Sequence, residues 1–432
     1  MRPSDGPPDA AHPHHLHDPH HPLTGWLDAL VATVAAFVVM AAVAALGLWA
    51  AGANGLPSGS FVPVAAATVL TALGIPLQLE GDAGFLAQAS AQISAVPLSV
   101  GLVGALVAGW AFLRPLRLRA VLTPRELAAR VLRMAVFWTA AVLLLTRLAR
   151  HSFTVSTGSP EADLIGGALG ITPTIGFHAD WPAAVGYGLL WLAVVLLLAF
   201  LVARRAPLPS ALLRQQVRVR PAAHATVLVL LAYAVLGVLA AVVVLIRGSD
   251  ARSTVAVVLL ALPNLAWLAL GVGLGGSWHG LVKGGSIGLS VPEPLASVLG
   301  GGGTKEATLN LSSLGQQDSR AWLLLPLAAL VVLAAGVLMA RQTAAATGRP
   351  VAPGRHALRL ALALGVALLL VGLLTRVSAG YGLSFLGVGG LSGPAAAVTL
   401  HCDLLVTVAA GVVWGALAGF LGALTVRRSP RS

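Results

Sequence analysis

Long apolar runs, each bounded on one side by a cluster of arginines, alternate with Gly-rich polar stretches along this chain. Runs of roughly 17 to 25 apolar residues cross a hydrocarbon core about 30 Å thick as helices, because only the chain itself can satisfy its backbone amides and carbonyls there. The pattern predicts eight spans, at 27–50, 96–113, 134–150, 183–203, 222–246, 322–340, 358–376 and 400–426. Two further apolar stretches are broken: 61–79 by Pro63 and Pro76, and 254–276 by Pro263 and Asn264 at its centre. Counting both as crossings would give ten.

Charge decides how the broken stretches are treated. The segment 114–133 holds six arginines (Arg114, Arg117, Arg119, Arg125, Arg130, Arg133) against one acid, Glu126. Further clusters are Arg204, Arg205, Arg214, Arg218 and Arg220, then Arg341, Arg349, Arg355 and Arg359, and finally Arg427, Arg428 and Arg431. Basic loops between spans mark the cytoplasmic face, so all four clusters are expected on one side, with both termini cytoplasmic and the chain in the cell membrane. Three apolar stretches separate the second and third clusters, which is odd. The preferred repair makes 254–276 a re-entrant helix returning to the side it entered; a short extra crossing over 281–299 is the alternative. The same logic keeps 61–79 outside or re-entrant, though a crossing there would place the N-terminus outside.

The fold class is therefore all-α: a polytopic membrane protein of eight to ten helices with Gly-rich exterior loops at 51–95, 151–182, 247–321 and 377–399. Four units result, each one helix out, one exterior segment and one helix back. No sequence repeat stands out. Within the loops, Ala307–Leu311 alternates as a short strand would. Residues 26–426 form the membrane domain, between a His/Pro-rich cytoplasmic tail (1–25) and a basic one (427–432).

Composition agrees: 57% of residues are hydrophobic, 10% are charged, and mean hydropathy is +0.88. The net charge of +12 comes from arginines in short loops, which points to the bilayer and anionic headgroups as partners and away from nucleic acid. One cysteine, Cys402, excludes an internal disulfide and any cysteine-built cluster. His12, His14, His15, His17, His20 and His21 are the metal-ligand candidates of the tail, but its prolines prevent a common helical face. No metal site or cofactor is assigned.

Two motifs carry a family likeness. Phe112–Arg117 (FLRPLR), after PLSVGLVGALVAG, and Ser319–Pro326 (SRAWLLLP) resemble the streptophobe family of actinobacterial integral membrane proteins. The resemblance covers nearly the whole chain. It implies a membrane protein with no catalytic residues to carry over.

Candidate chemistry is sparse. Gly411, Gly415 and Gly419 recur every four residues, a face on which another helix backbone packs closely. His401, Cys402 and Asp403 open the same predicted helix, where adjacent positions point about 100 degrees apart, so His401 and Cys402 form no nucleophile and base pair. Asp403 is the proton- or substrate-site candidate, with Arg376 as its counter-ion; a structural interfacial pair is the simpler reading. Asp28, Arg147 and His224 are interfacial. HExxH, GxSxG and an intramembrane acid pair are missing, and GGGGTK at 300–305 lacks the phosphate-loop order. The expected function is a non-enzymatic envelope or scaffold protein. The alternative is a transporter or channel using the broken helices 61–79 and 254–276, and a membrane-embedded enzyme comes third.

Overall fold

In the computed structural model, which describes residues 22–82, 87–115, 123–154, 174–203, 210–248, 250–283, 305–347, 352–385 and 396–428, each of the four expected exterior segments contains a β-hairpin. The strands are β1 (Leu77–Asp82), β2 (Ala87–Ser94), β3 (His151–Thr154), β4 (Thr174–His178), β5 (Trp278–Lys283), β6 (Lys305–Leu309), β7 (Val377–Phe385) and β8 (Ala396–Cys402). The hairpins join edge to edge in one antiparallel sheet of eight strands, ordered β3-β4-β1-β2-β7-β8-β5-β6. The helices are α1 (Pro22–Ala50), α2 (Phe61–Ala72), α3 (Leu98–Leu113), α4 (Pro124–Leu148), α5 (Trp181–Val202) and α6 (Ser210–Ile246). They continue as α7 (Ala251–Gly273), α8 (Leu311–Gln317), α9 (Leu324–Thr347), α10 (Pro353–Leu374) and α11 (Leu404–Arg428). This is the all-α polytopic membrane class, with one continuous sheet where loops and a short strand at Ala307–Leu311 were expected.

Helices α1, α4, α6 and α10 lead from the arginine-rich side toward the sheet, and α3, α5, α9 and α11 lead back. The start of α1 is fixed on the arginine side, since Asp28 pairs with Arg130 of α4 at 3.2 Å. Arg130 also lies over Phe112 at the end of α3, and Phe112 meets Phe200 at the end of α5. At 16 residues, α3 is about 24 Å long, short for a crossing but continuous from β2 to that level. Among the described residues, eight helices have the length and hydropathy of a span; they include α7 and leave out α3. Contacts settle α7 differently. Its first turn sets Arg252 over Trp49 at the end of α1, its last turn meets Leu324 at the start of α9, and β5 follows. Both its ends therefore lie on the sheet side, although it is one continuous helix of 23 residues. Helix α2 does the same on a smaller scale: Ser60 before it bonds His151 of β3 at 3.1 Å, and β1 follows it. The stretch 61–79 is thus a lateral helix and a strand.

The two halves of the chain repeat. The sheet order 3-4-1-2 is followed by 7-8-5-6, the same order four strands on. Helix pairs recur likewise: α1 packs on α3 and α4 as α6 packs on α9 and α10, and α4 packs on α5 as α10 packs on α11. Helices α2 and α7 end in the same turn: Gly74 and Gly275 take φ +79 and +99, with Ile75 N–H bonded to Leu70 and Gly276 N–H to Gly271. With the halves superposed in register, sequence identities surface that the sequence reading did not detect. Val142–Arg147 and Val371–Arg376 share V-x-L-L-T-R, and His178-Ala179-Asp180 matches His401-Cys402-Asp403. Thr146 and Thr375 are both buried, and each hydroxyl donates to the carbonyl four residues back.

Candidate functional site

Helices α2 and α7 lie on either side of a cavity of about 400 Å³ beneath the sheet, where the halves meet. Its volume is within the range of small-molecule sites. Its polar lining groups are already engaged. Asn264, at the break the sequence marks, donates from Nδ2 to the Val96 carbonyl (2.9 Å) and accepts the Leu98 amide on Oδ1 (3.1 Å). The hydroxyl of Thr68 donates to Val64, that of Thr71 to Thr68, and that of Thr375 to Val371. What remains is aliphatic wall, including Leu48, Leu260, Leu268 and Leu400.

Asn264 is a clamp: it holds the first turn of α3, whose opening amides have no partner within the helix. Asn264→Ala strands the Leu98 amide and the Val96 carbonyl, and is expected to lower stability by about 1–3 kcal/mol. Thermal unfolding in detergent reads this, and an unchanged midpoint removes the clamp.

The trio at 401–403 differs from expectation because β8 runs to Cys402 and α11 starts at Leu404. Successive strand residues face opposite ways, so His401 is exposed while Cys402 is buried with Trp278 and Val272. The two are separated by a sheet face and not by a helical turn. The Cys402 thiol donates to Thr407 Oγ1 at 3.2 Å; burial raises its pKa, and the Thr407 bond opposes that only partly. It is a poor nucleophile. Asp403 caps α11, accepting from the Val406 amide at 3.2 Å, while its own amide bonds Ser277. Arg376 is exposed just before β7 and forms no ion pair with Asp403; the expected counter-ion role is not met because the carboxylate is turned onto the helix terminus. The matching Asp180 begins α5 but accepts from Gln78 Nε2 at 2.8 Å.

The glycine face lies against α10. A Cβ built on Gly415 would stand 2.7 Å from the Leu360 carbonyl oxygen, and one on Gly419 would stand 2.7 Å from that of His356. Of the residues expected at the membrane interface, His224 meets Gln342 at 3.1 Å and Arg147 is exposed. The tail histidines, and Arg117, Arg119, Arg204, Arg205, Arg349 and Arg431, lie outside the described residues. No cluster of three or more metal-ligating side chains occurs among the described residues. Sequence reasoning missed His279, which pairs with His401 across β5 and β8. Its signal would have been a strand running on from the helix that ends near 274. Comparison with protein-family models, curated proteins and solved structures finds no match.

Proposed function

We propose that this chain is a non-enzymatic envelope scaffold of the cell membrane, with the sheet outside, the arginine clusters and both termini in the cytoplasm, and the sheet as its working surface. The observation that carries this is the engaged lining of the cavity between α2 and α7. A transport path for a polar solute needs free polar groups between the broken helices, and here Thr68, Thr71, Asn264 and Thr375 all bond the protein itself. The four hairpins, by contrast, form one continuous platform, built twice over. Among the described residues its outermost strands are the short β3 and β6.

Single cysteines in a Cys402→Ser background test it in intact cells. Ser378→Cys on the sheet should label with an impermeant maleimide, Ala352→Cys at the start of α10 should label only after permeabilisation, and Thr68→Cys in the cavity should resist both. Labelling of Thr68→Cys as fast as Ser378→Cys would reveal a water-filled route and replace the scaffold by a transporter. Labelling of Ala352→Cys in intact cells would invert the orientation.

A further inference from the structure

We propose that His279 and His401 form a surface binding site for a borderline divalent transition metal such as Cu²⁺, Ni²⁺ or Zn²⁺. Strands β5 and β8 pair Trp278 with Cys402 and His279 with His401. Trp278 and Cys402 are both buried against α7, so alternation turns both imidazoles to the opposite, open face. Directly opposed residues in an antiparallel pair hold their Cβ atoms about 4.5–5.5 Å apart, close enough for two imidazoles to share one ion. The ring centroids stand 5.8 Å apart, with the planes inclined by 33°. Two imidazoles on one metal, each at a nitrogen-to-metal distance of about 2.0–2.1 Å, bring their centroids to about 4.5–5.2 Å at bond angles between square and tetrahedral. Small rotations of the two side chains close that difference.

The surroundings favour this chemistry over the alternatives. The Thr308 hydroxyl stands 3.5 Å from His279 Nδ1, on the neighbouring strand β6. A partner on one ring nitrogen orients the ring and leaves the other, Nε2, as the ligand. Asp403 spends its carboxylate on the Val406 amide. Arg376, by extension of the Val377–Leu400 pairing, falls opposite His401 on the side away from His279. Its like charge opposes any cation there, so the binding must come from imidazole donation, which a borderline metal takes up best. With two protein ligands, water completes the coordination. The repeat supplies a contrast inside the same molecule: in the first half Gln78 occupies the place of His279, opposite His178, so that half offers one imidazole in this row.

Cu²⁺ binding to the purified full-length protein tests the site, with His12, His14, His15, His17, His20 and His21 replaced by Asn so that the tail contributes no imidazole. The parent should bind one Cu²⁺ per chain at this site with two nitrogen couplings in its paramagnetic resonance spectrum. His279→Gln and His401→Gln should each weaken it at least tenfold and leave one coupling, while His178→Gln should leave it unchanged. A second readout needs no substitution at the site: Cu²⁺ should protect His279 and His401 from acylation by diethyl pyrocarbonate, mapped by mass spectrometry. Equal affinity in the parent and both single variants, or equal acylation with and without Cu²⁺, overturns the proposal.

Discussion

Gly415→Val is expected to break the seam between α10 and α11 and to lower the stability of the folded protein by about 1–3 kcal/mol or more, as overpacking of a close interface does. The reason lies in what the new side chain would meet. A Cβ at this position stands 2.7 Å from both the Leu360 carbonyl oxygen and the Ala361 Cα, which are backbone atoms that move only if the helices part. At Gly411 the nearest atom is the Leu368 Cδ1, the end of a side chain that can rotate, so the same change there should be milder. The damage would spread, because α11 also packs on α9, where Gly336 meets the Ala418 backbone. Apolar helices gain no hydrophobic driving force from leaving lipid, so close van der Waals contact through small residues carries much of this association. Gly186 of α5 has open space where its Cβ would be and serves as the control. Residual monodisperse protein after heating in detergent measures both. If Gly415→Val survives heating as well as Gly186→Val, the glycine face is not what holds these helices.

That face was legible in the sequence because a four-residue recurrence within one long apolar run has a single geometric meaning. That the two ends of 254–276 share a side was legible for a similar reason, since charge and parity are properties of whole segments. The sheet was not. Its strands read LQLEGD, AQASAQIS and VSAGYGLSF, rich in Gly, Ala and Ser and poor in the β-branched residues that mark strands in isolation. They form because each hairpin finds another hairpin beside it, a condition no local window contains. Only Ala307–Leu311 alternated clearly, and there the strand stops at Leu309, since Asn310 turns to cap α8 through the Ser313 amide. The same boundary effect moved His401 and Cys402 from a helix to a strand: an apolar run shows where a span can lie, and the cap residue shows where the helix begins. The duplication escaped because its shared motifs are short, V-x-L-L-T-R at 142–147 and 371–376 and H-x-D at 178–180 and 401–403, and are separated by intervals of different length in the two halves.

Trp278→Ala is expected to give the largest loss of any single substitution in the sheet, about 3–5 kcal/mol as for other buried aromatic truncations. Trp278 is fully buried and joins three elements at once. Its ring fills the space over Gly271 in the last turn of α7, where any Cβ would collide with it. Its Nε1 donates to Thr375 Oγ1 (3.3 Å), and Thr375 in turn bonds the last turn of α10 through Val371. From β5 the same residue faces Cys402, one residue before the cap of α11. Removing the indole therefore empties a cavity and uncouples the sheet from α7, α10 and α11 together. Trp278→Phe keeps most of the volume and loses the single hydrogen bond, so its effect should be about 1 kcal/mol. In the first half the matching residue is Leu77, smaller and only half-buried, and Leu77→Ala should cost less than Trp278→Ala. Cys402 reports the local event: buried and poorly ionised in the native protein, it should react with a maleimide much faster in Trp278→Ala than in Leu77→Ala. An unreactive Cys402 and an unchanged melting midpoint in Trp278→Ala would mean that the sheet is held to the helices elsewhere. The scaffold reading would then lose its rigid support, because a platform hinged at its helices presents no fixed surface.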